Sequence, residues 1–453
     1  MSDIIAAIST ALAPSGIGVI RLSGQGCAQT ADCILKTVSG VLLSEAPNRK
    51  LILADLLDRS DRVIDRILAV YTCGPHSYTG EDTVELQCHG SPAVLTEALS
   101  HLFLHGARQA GPGEFTKRAF LNGQMDLTAA EAVIDLIEAE TADAAANAAG
   151  QVGGALLRQL EPVYGELTGL MSHFHAVLDY PDEDIDDFQL DSYRDLLEAQ
   201  KQVLDSLLAT CRRGNVVKNG VGAVILGRPN AGKSSLLNAL AGYDRVIVTD
   251  IPGTTRDTVE EKIRLGSLVL RLMDTAGIRD TQDTVEQLGV SRAVEAAKSA
   301  DLALVVIDGS QPLCPEDFRA MEASKSSRQA ICVLSKADLP QVVTPEQLDF
   351  DIILPVSAVT GQGLEALTEA VEGLFAGDAP CDGTLLTNVR HETAITLARD
   401  AISRAQEAMA LGTTPDAVLV DVEAALTAIA EVTGASMRED ITNGIFSRFC
   451  VGK

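Results

Sequence analysis

Gly227-Arg228-Pro229-Asn230-Ala231-Gly232-Lys233-Ser234 is a GxxxxGK[ST] segment, and it constrains the fold more tightly than any other stretch of the chain. The pattern needs a strand before it and a helix after it. Ala223-Val224-Ile225-Leu226 is an apolar run that reads as a buried strand, and Ser235 to Leu240 reads as the opening of a helix. In that setting the glycines let successive backbone N–H groups curl round a phosphate, and the helix N-terminus adds positive potential. Lys233 would reach the outer phosphates and the Ser234 hydroxyl would hold Mg²⁺. The expected phosphate site comprises Asn230, Ala231, Gly232, Lys233, Ser234 and Ser235.

The base is chosen further along. Ser267 to Met273 reads as a strand that delivers Asp274-Thr275-Ala276-Gly277, a DxxG pattern of GTPases. There the Asp holds the metal through water and the Gly277 N–H senses the γ-phosphate. Between the two motifs lies Gly253-Thr254-Thr255-Arg256-Asp257, where a Thr can close over Mg²⁺ as a switch. A third strand, Leu302 to Ile307, precedes Asp308-Gly309, and a fourth, Ala330 to Leu334, ends at Ser335-Lys336-Ala337-Asp338. The usual pattern at that place is NKxD, whose Asp accepts two hydrogen bonds from the guanine edge that adenine does not offer. Ser335 replaces the Asn, so an amide contact is lost while Asp338 keeps the selectivity. Ile353-Leu354-Pro355-Val356-Ser357-Ala358 places the Ser357-Ala358 pair that backs the base. Five elements in this order predict a doubly wound GTP-binding domain over 216–378.

Hydrolysis needs a water-orienting group. The residue after DxxG is Ile278 and not Gln, so that group comes from elsewhere. Asn230 offers an oxygen that can bind a monovalent cation, and carbonyls of the Thr249–Thr255 loop (Thr249, Asp250, Ile251, Pro252, Gly253, Thr254, Thr255) can complete its shell. Glu286, in the segment after DxxG, is the candidate to orient water, although by its position alone the better reading is a solvated carboxylate at a helix start.

The 453 residues suggest about three domains, and 46% hydrophobic residues suffice for sizeable cores. Net charge −27 argues against a dense nucleic-acid surface, since phosphate contacts need Lys and Arg. No uninterrupted apolar run approaches a membrane span, and Asp3 with no early Lys or Arg argues against a secretory signal. Nine scattered cysteines without CxxC spacing read as reduced thiols, hence a cytoplasmic setting. His101 and His105 share a helix face but read as no metal site, and Asp182 to Asp187 reads as a solvated acidic turn.

Around the GTP domain, residues 1–117 alternate short strand-like runs (Gly18 to Leu22, Lys50 to Leu56, Ile67 to Tyr71, Thr83 to Gln87) with turns, and a helix follows Pro92. This predicts an α/β domain. Residues 118–215 and 379–453 are rich in Ala, Glu and Leu and read as an all-α domain into which the GTP domain is inserted. Thr128-Ala129-Ala130-Glu131 reads as a capping box, and Thr414-Pro415-Asp416 as a helix start.

Further motifs carry a resemblance. Val19-Ile20-Arg21-Leu22-Ser23-Gly24, Tyr78 to Leu86, Pro112 to Gly123 and the ending Phe446 to Lys453 are similar to segments of the tRNA-modification GTPase family MnmE, also called TrmE. The resemblance spans essentially the whole chain. It implies a potassium-stimulated GTP hydrolase that acts with the flavoprotein MnmG. Together they would add an aminomethyl or carboxymethylaminomethyl group to the 5-position of the tRNA wobble uridine, using a folate one-carbon unit.

It also implies a homodimer through the N-terminal domains, which would bind 5-formyl- or 5,10-methylene-tetrahydrofolate. By residue, it assigns potassium to Asn230, Thr249, Ile251 and Thr254, Mg²⁺ to Ser234 and Thr255, and catalysis to Glu286. It assigns folate contacts to Arg21, Glu85, Lys453 and the position of Gln124, where the usual basic residue is missing. Cys450 falls near the folate, as a residue in the chemistry or as a buried thiol, and Lys453 is expected to reach a partner's N-terminal domain. Pro252 stands where a small residue is usual. The alternative is a ribosome-assembly-type switch GTPase, a class that usually carries a basic RNA-binding appendage absent from these acidic flanks.

Overall fold

The structure is a computed structural model that describes residues 3–179, 190–243, 261–273, 295–377, 379–435, 445–447 and 449–452. Two compact units emerge: Met1–Ile134 with Ala149–Val203 and Ala394–Lys453, and Asp135–Ala148 with Leu204–Thr393.

The first unit begins with β1 (Ile5–Ile8), β2 (Ser15–Ser23), α1 (Cys27–Asp32), β3 (Leu35–Thr37), β4 (Ile52–Leu57), β5 (Val63–Thr72), β6 (Thr83–Gly90), α2 (Pro92–Leu104), β7 (Arg108–Gln109) and α3 (Glu114–Leu121). The strands form one sheet in the order β3-β4-β5-β6-β2-β1-β7, antiparallel except for β1 with β7. Strand alternation decides its faces. Ile20, Leu22, Ala54, Leu56, Ile67, Ala69, Val84 and Leu86 share one core with residues of α1 and α2. Arg21 and Glu85, out of phase with them, sit opposite each other in the β2–β6 register. Pro92 is the first residue of α2, where its missing N–H costs nothing.

Long helices follow: α4 (Leu127–Glu138), α5 (Ala142–Val152), α6 (Ala155–Asp179), α7 (Leu190–Ala209) and α8 (Cys211–Asn219). The cap of α4 differs from expectation. Asp126, and not Thr128, accepts the Ala129 N–H at 2.8 Å, with the Thr128 hydroxyl donating to the same carboxylate. The Asp126 carboxylate, placed three residues before Ala129, takes the cap, and Glu131 is buried within the helix. Helix α3 runs across residue 117 and α8 across residue 215.

The second unit contains β8 (Val221–Leu226), α9 (Lys233–Tyr243), β9 (Glu261–Leu265), β10 (Leu268–Leu272), β11 (Leu302–Asp308), α10 (Pro315–Ser324), β12 (Gln329–Ser335), β13 (Ile353–Val356) and α11 (Leu364–Phe375). The sheet order is β13-β12-β11-β8-β10-β9, parallel except for β9 with β10. Strands β8 and β11 are buried at every position, as a sheet covered on both faces requires. This is the doubly wound domain expected from sequence. Its flanking segments are stitched together: the buried Asn147 carbonyl accepts from the Gly383 N–H at 3.1 Å and the Leu385 N–H at 3.3 Å. A Cβ on Gly214 would lie 2.0 Å from the Leu386 carbonyl oxygen, so only glycine allows that approach.

Helices α12 (Val389–Ala410) and α13 (Pro415–Thr433) follow. Helix α13 packs on α6 in the first unit. Buried Leu156, Leu160, Val163, Leu167, Leu170 and Phe174 of α6 recur at alternating spacings of four and three, as do Val418, Val422, Ala425, Ile429 and Val432 of α13. That spacing keeps one apolar seam along each helix.

The C-terminal segment returns to the N-terminal sheet of its own chain. Pro112 pairs with Val451, the Gly113 N–H donates to the Cys450 carbonyl at 3.3 Å, and the Ser9 hydroxyl donates to the Gly452 carbonyl at 2.9 Å. Gly452, at φ 102°, sits where a Cβ would lie 2.4 Å from the Ile8 carbonyl oxygen. Lys453, expected to reach a partner's N-terminal domain, lies outside the described residues.

Beside this tail, Arg118 donates to Asp3, Glu81 and Glu114 at 2.7, 2.9 and 3.1 Å. Arg108 donates to Glu114 at 2.6 Å. Burial alone would raise the Glu114 carboxyl, but hydrogen bonds from Arg108, the Gly111 N–H and Arg118 outweigh it and bring it from 4.5 to about 2. A depressed carboxyl stabilises the fold above its unfolded pKa, and that contribution is lost as pH falls through the folded value. Glu114→Gln is therefore expected to cost roughly 2 kcal/mol at neutral pH. In urea titrations the gap to the unaltered chain should close as pH falls from 4.5 toward 2. A gap that does not change with pH would refute the role given to the carboxylate.

Candidate functional site

Parallel pairing brings the carboxyl ends of β8, β11, β12 and β13 to one edge of the second unit's sheet. Asp308 pairs with Ser335, and Ser335 with Val356, so the loops after these strands start level with one another. Strand order reverses at β8, and ligands bind such sheets outside the carboxyl ends at the reversal.

The loop after β8 has the shape the motif predicts. Gly227 has φ 146° and a Cβ there would lie 2.4 Å from the Val306 carbonyl oxygen; Gly232 has φ 104°. Asn230 takes φ 61°, a conformation that Asn tolerates better than most residues, and is exposed. Helix α9 begins at Lys233, so the free N–H groups of its first turn face this loop. The Lys233 ammonium donates to the carbonyls of Gly227 at 2.7 Å and Arg228 at 2.8 Å. Burial lowers its pKa from the usual lysine value. A desolvated ammonium held by two neutral carbonyls has a strong electrostatic preference for a phosphate.

The base-side loop is tied to this one. The Ser335 hydroxyl donates to the Ala231 carbonyl at 2.5 Å and lies 3.1 Å from the Ile307 carbonyl. The substitution of Asn by Ser that removes an amide thus keeps a tether to the phosphate loop. Lys336 has φ 59°, and its ammonium donates to the buried Asp308 at 2.6 Å. The Ala337 N–H donates to the Val356 carbonyl at 3.2 Å. The exposed Asp338 carboxylate accepts from the Ser357 hydroxyl at 2.6 Å, and Ser357 is itself fully buried. Ser357 receives the Thr360 N–H at 3.2 Å, and Ala358 follows it. One carboxylate oxygen is thereby oriented from behind.

The structure therefore brings together Asn230 to Ser235, Ser335 to Asp338 and Ser357-Ala358. Thr249 to Thr255, Asp274 to Gly277 and Glu286 lie outside the described residues. In the first unit, Arg21 and Glu85 form an ion pair at 2.8 Å, with the Arg21 guanidinium 5.3 Å from the Tyr78 ring centre and 5.8 Å from that of Phe115. Tyr78 and Phe115 lie in motif segments, but pattern alone gave them no role. Gln124 lies over Gly80, whose Cβ would meet its amide nitrogen at 3.1 Å. Cys450 is exposed and is held there by its carbonyl. His101 and His105 face each other with ring nitrogens 3.3 Å apart, and no cluster of three metal-ligating side chains occurs among the described residues.

A doubly wound sheet, a phosphate loop opening a helix and an oriented carboxylate in the base-side loop define a P-loop GTP-binding protein. Comparison with known proteins narrows this. Residues 4–124 match the N-terminus of the GTP-binding protein TrmE, and residues 127–450 match the MnmE helical domain. The tRNA modification GTPase MnmE of Roseiflexus sp. is 42% identical over 469 residues, covering 100% of this chain and 99% of that protein. Its counterpart in Alkaliphilus oremlandii is 40% identical over 463 residues, covering 100% of both. The protein of the same name in Clostridioides difficile is 38% identical over 459 residues, again covering 100% of both. The chain belongs to the MnmE (TrmE) family of tRNA modification GTPases.

If the Ser357 hydroxyl sets the angle of Asp338, Ser357→Ala should weaken GDP binding roughly tenfold, the value of one hydrogen bond to a charged group. Titration with a fluorescent GDP derivative measures this; affinity within twofold of the unaltered chain would show that Asp338 needs no such support.

Proposed function

We propose that this chain is a potassium-stimulated GTP hydrolase that, with the flavoprotein MnmG, installs an aminomethyl or carboxymethylaminomethyl group at the 5-position of the tRNA wobble uridine. The observation that carries the nucleotide reading is the tie between its two ends: Ser335 joins the phosphate loop to the loop whose Asp338 is oriented by Ser357. No helix among the described residues is long and apolar enough to cross a membrane, which is compatible with cytoplasmic work on tRNA.

In this reading Lys233 leaves the Gly227 and Arg228 carbonyls for the nucleotide's outer phosphates, and the N–H groups around Gly232 take the inner ones. Asp338 accepts the guanine N–H and amino protons. Ser234 and Thr255 hold Mg²⁺, with Asp274 acting through water, and Gly277 senses the γ-phosphate. When bound, Mg²⁺ neutralises charge on the transferring phosphoryl group. Asn230, with Thr249, Ile251 and Thr254, holds potassium in a homodimer of GTP domains. Asp250, Pro252 and Gly253 shape that loop, and Thr275 and Ala276 shape the DxxG turn. Glu286 orients the attacking water, whose proton is released as the bond to the leaving phosphate breaks.

The exposed Asn230 at φ 61° suits a cation contact, since its side chain is turned away from the core. On the N-terminal side, Glu85 and Arg21 suit the N–H edge and the oxygens of a tetrahydrofolate derivative, 5-formyl or 5,10-methylene. Gln124 and Lys453 complete the proposed contacts, and Cys450 stands beside them as a candidate catalytic thiol.

GTP turnover by the purified chain should be much faster in KCl than in NaCl at equal ionic strength; equal rates would remove the potassium bridge. Glu286→Ala should retain GTP binding while turnover falls on the order of a hundredfold or more. Phosphate release under single-turnover conditions reads this directly, and an unchanged rate would exclude Glu286 from the mechanism.

A further inference from the structure

Asp308 receives cations from two different loops. It ends β11 with only 3% of its surface exposed. Its Oδ1 accepts from the Ser310 N–H at 3.1 Å and the Ser310 hydroxyl at 2.6 Å, which fixes the carboxylate plane. Its Oδ2 lies 2.6 Å from the Lys336 ammonium and 3.8 Å from the Arg228 guanidinium. Lys336 belongs to the base-side loop and Arg228 to the phosphate loop. One oxygen atom is thus shared by the two halves of the nucleotide site.

Both partners are poised to respond. Arg228 has a second buried carboxylate, Asp317, at 3.5 Å. It is therefore at ion-pair distance from two carboxylates and closely bonded to neither, and the Arg228 Nε and Asp317 Oδ1 are buried without a hydrogen-bond partner. The Arg228 carbonyl also accepts one of the two hydrogen bonds that hold Lys233. Lys336 holds φ 59°, a left-handed conformation that is strained for a residue with a Cβ and persists where contacts fix it. Its ammonium on Asp308 is such a contact, and Asp338 follows two residues later.

We propose that Asp308 is a positioning residue that couples the phosphate loop to the base-side loop, so that the two ends of a guanine nucleotide are bound cooperatively. The inference rests on the guanine-nucleotide reading above. A phosphate draws Lys233 off the Arg228 carbonyl, and the Arg228 guanidinium, released from its slack position, closes on Asp308. Lys336 shares that oxygen, so its left-handed turn, and with it Asp338, is set by the same event. Coupling of this kind is reciprocal: the base tightens the phosphate loop as much as the phosphate tightens the base loop.

The test is a double-mutant cycle on GDP affinity with Arg228→Gln and Lys336→Gln, alone and together, in the full chain. Among the described residues Asp308 is the one ion-pair partner that Arg228 and Lys336 share, and without coupling the losses multiply. With it, the double variant loses at least roughly threefold less than the product of the single losses, and the departure vanishes when Asp308→Asn is added. Simple multiplication would overturn the proposal. A departure of equal size in thermal stability without nucleotide, and none in affinity, would overturn it too, since it would mark a purely structural bridge. Absence of GDP binding by the unaltered chain would refute the nucleotide reading itself, which distinguishes the two failures.

Discussion

The level register of β11, β12 and β13 is the constraint on which the nucleotide site depends. Because Asp308, Ser335 and Val356 stand side by side, three loops that are distant in sequence leave the sheet at one height. A slip of one residue in either ladder would turn Asp308 or Ser335 to the opposite face. Side-chain packing opposes that slip, since Leu302, Leu304, Val306, Ile331 and Val333 fill one core while Ala303, Val305, Ile307, Cys332 and Leu334 fill the other, and a slip would exchange the two sets. Core packing thus sets the geometry of the polar site.

The N-terminal unit solves a different problem. Helices α1 and α2 cover one face of its sheet, while Phe115 of α3 packs with Ile5 and Ala7 on the other, where the Arg21–Glu85 pair stands. The Arg108, Arg118, Glu81, Glu114 and Asp3 network fixes the start of α3 close to the returning C-terminal segment. Removing one member of such a network leaves its partners short of compensation, which makes the cluster costly to disturb. Aromatic rings supply the apolar counterpart: Phe446 and Phe449 lie 5.4 Å apart and share a small core with Leu127 and Ala130.

Much of this was legible in the sequence because the signals are local. A phosphate loop needs consecutive residues, so the strand, turn and helix around Gly227 to Ser234 could be read directly, as could the order of the later motifs. The cap of α4 was misread because Asp126 and Thr128 are both good caps and only packing chooses between them. The sharing of Asp308 by Arg228 and Lys336 was invisible, since it depends on parallel register and joins residues that no spacing rule connects. The tether from Ser335 to Ala231 was equally hidden: sequence shows the loss of an amide but not what the hydroxyl still reaches. Arg21 and Glu85 were singled out through resemblance, as folate contacts, while their ion pair and the placement of Arg21 beside Tyr78 and Phe115 required the fold.

The seat of Gly452 against Ile8 and Ser9 has a consequence for how the chain comes together. Ser9 and Gly452 are separated by 443 positions, so one contact beside the first sheet joins an early residue to one synthesised much later. Domains generally fold in the order in which the ribosome releases them. Here the first sheet can pair its strands early, but the groove beside Pro112 and Gly113 remains open until Cys450 and Val451 emerge. The long loop that this contact closes adds little entropy per further residue, because closure cost grows only with the logarithm of length. What the arrangement imposes is a delay: a sheet that is synthesised early is finished only when a segment more than four hundred positions later arrives.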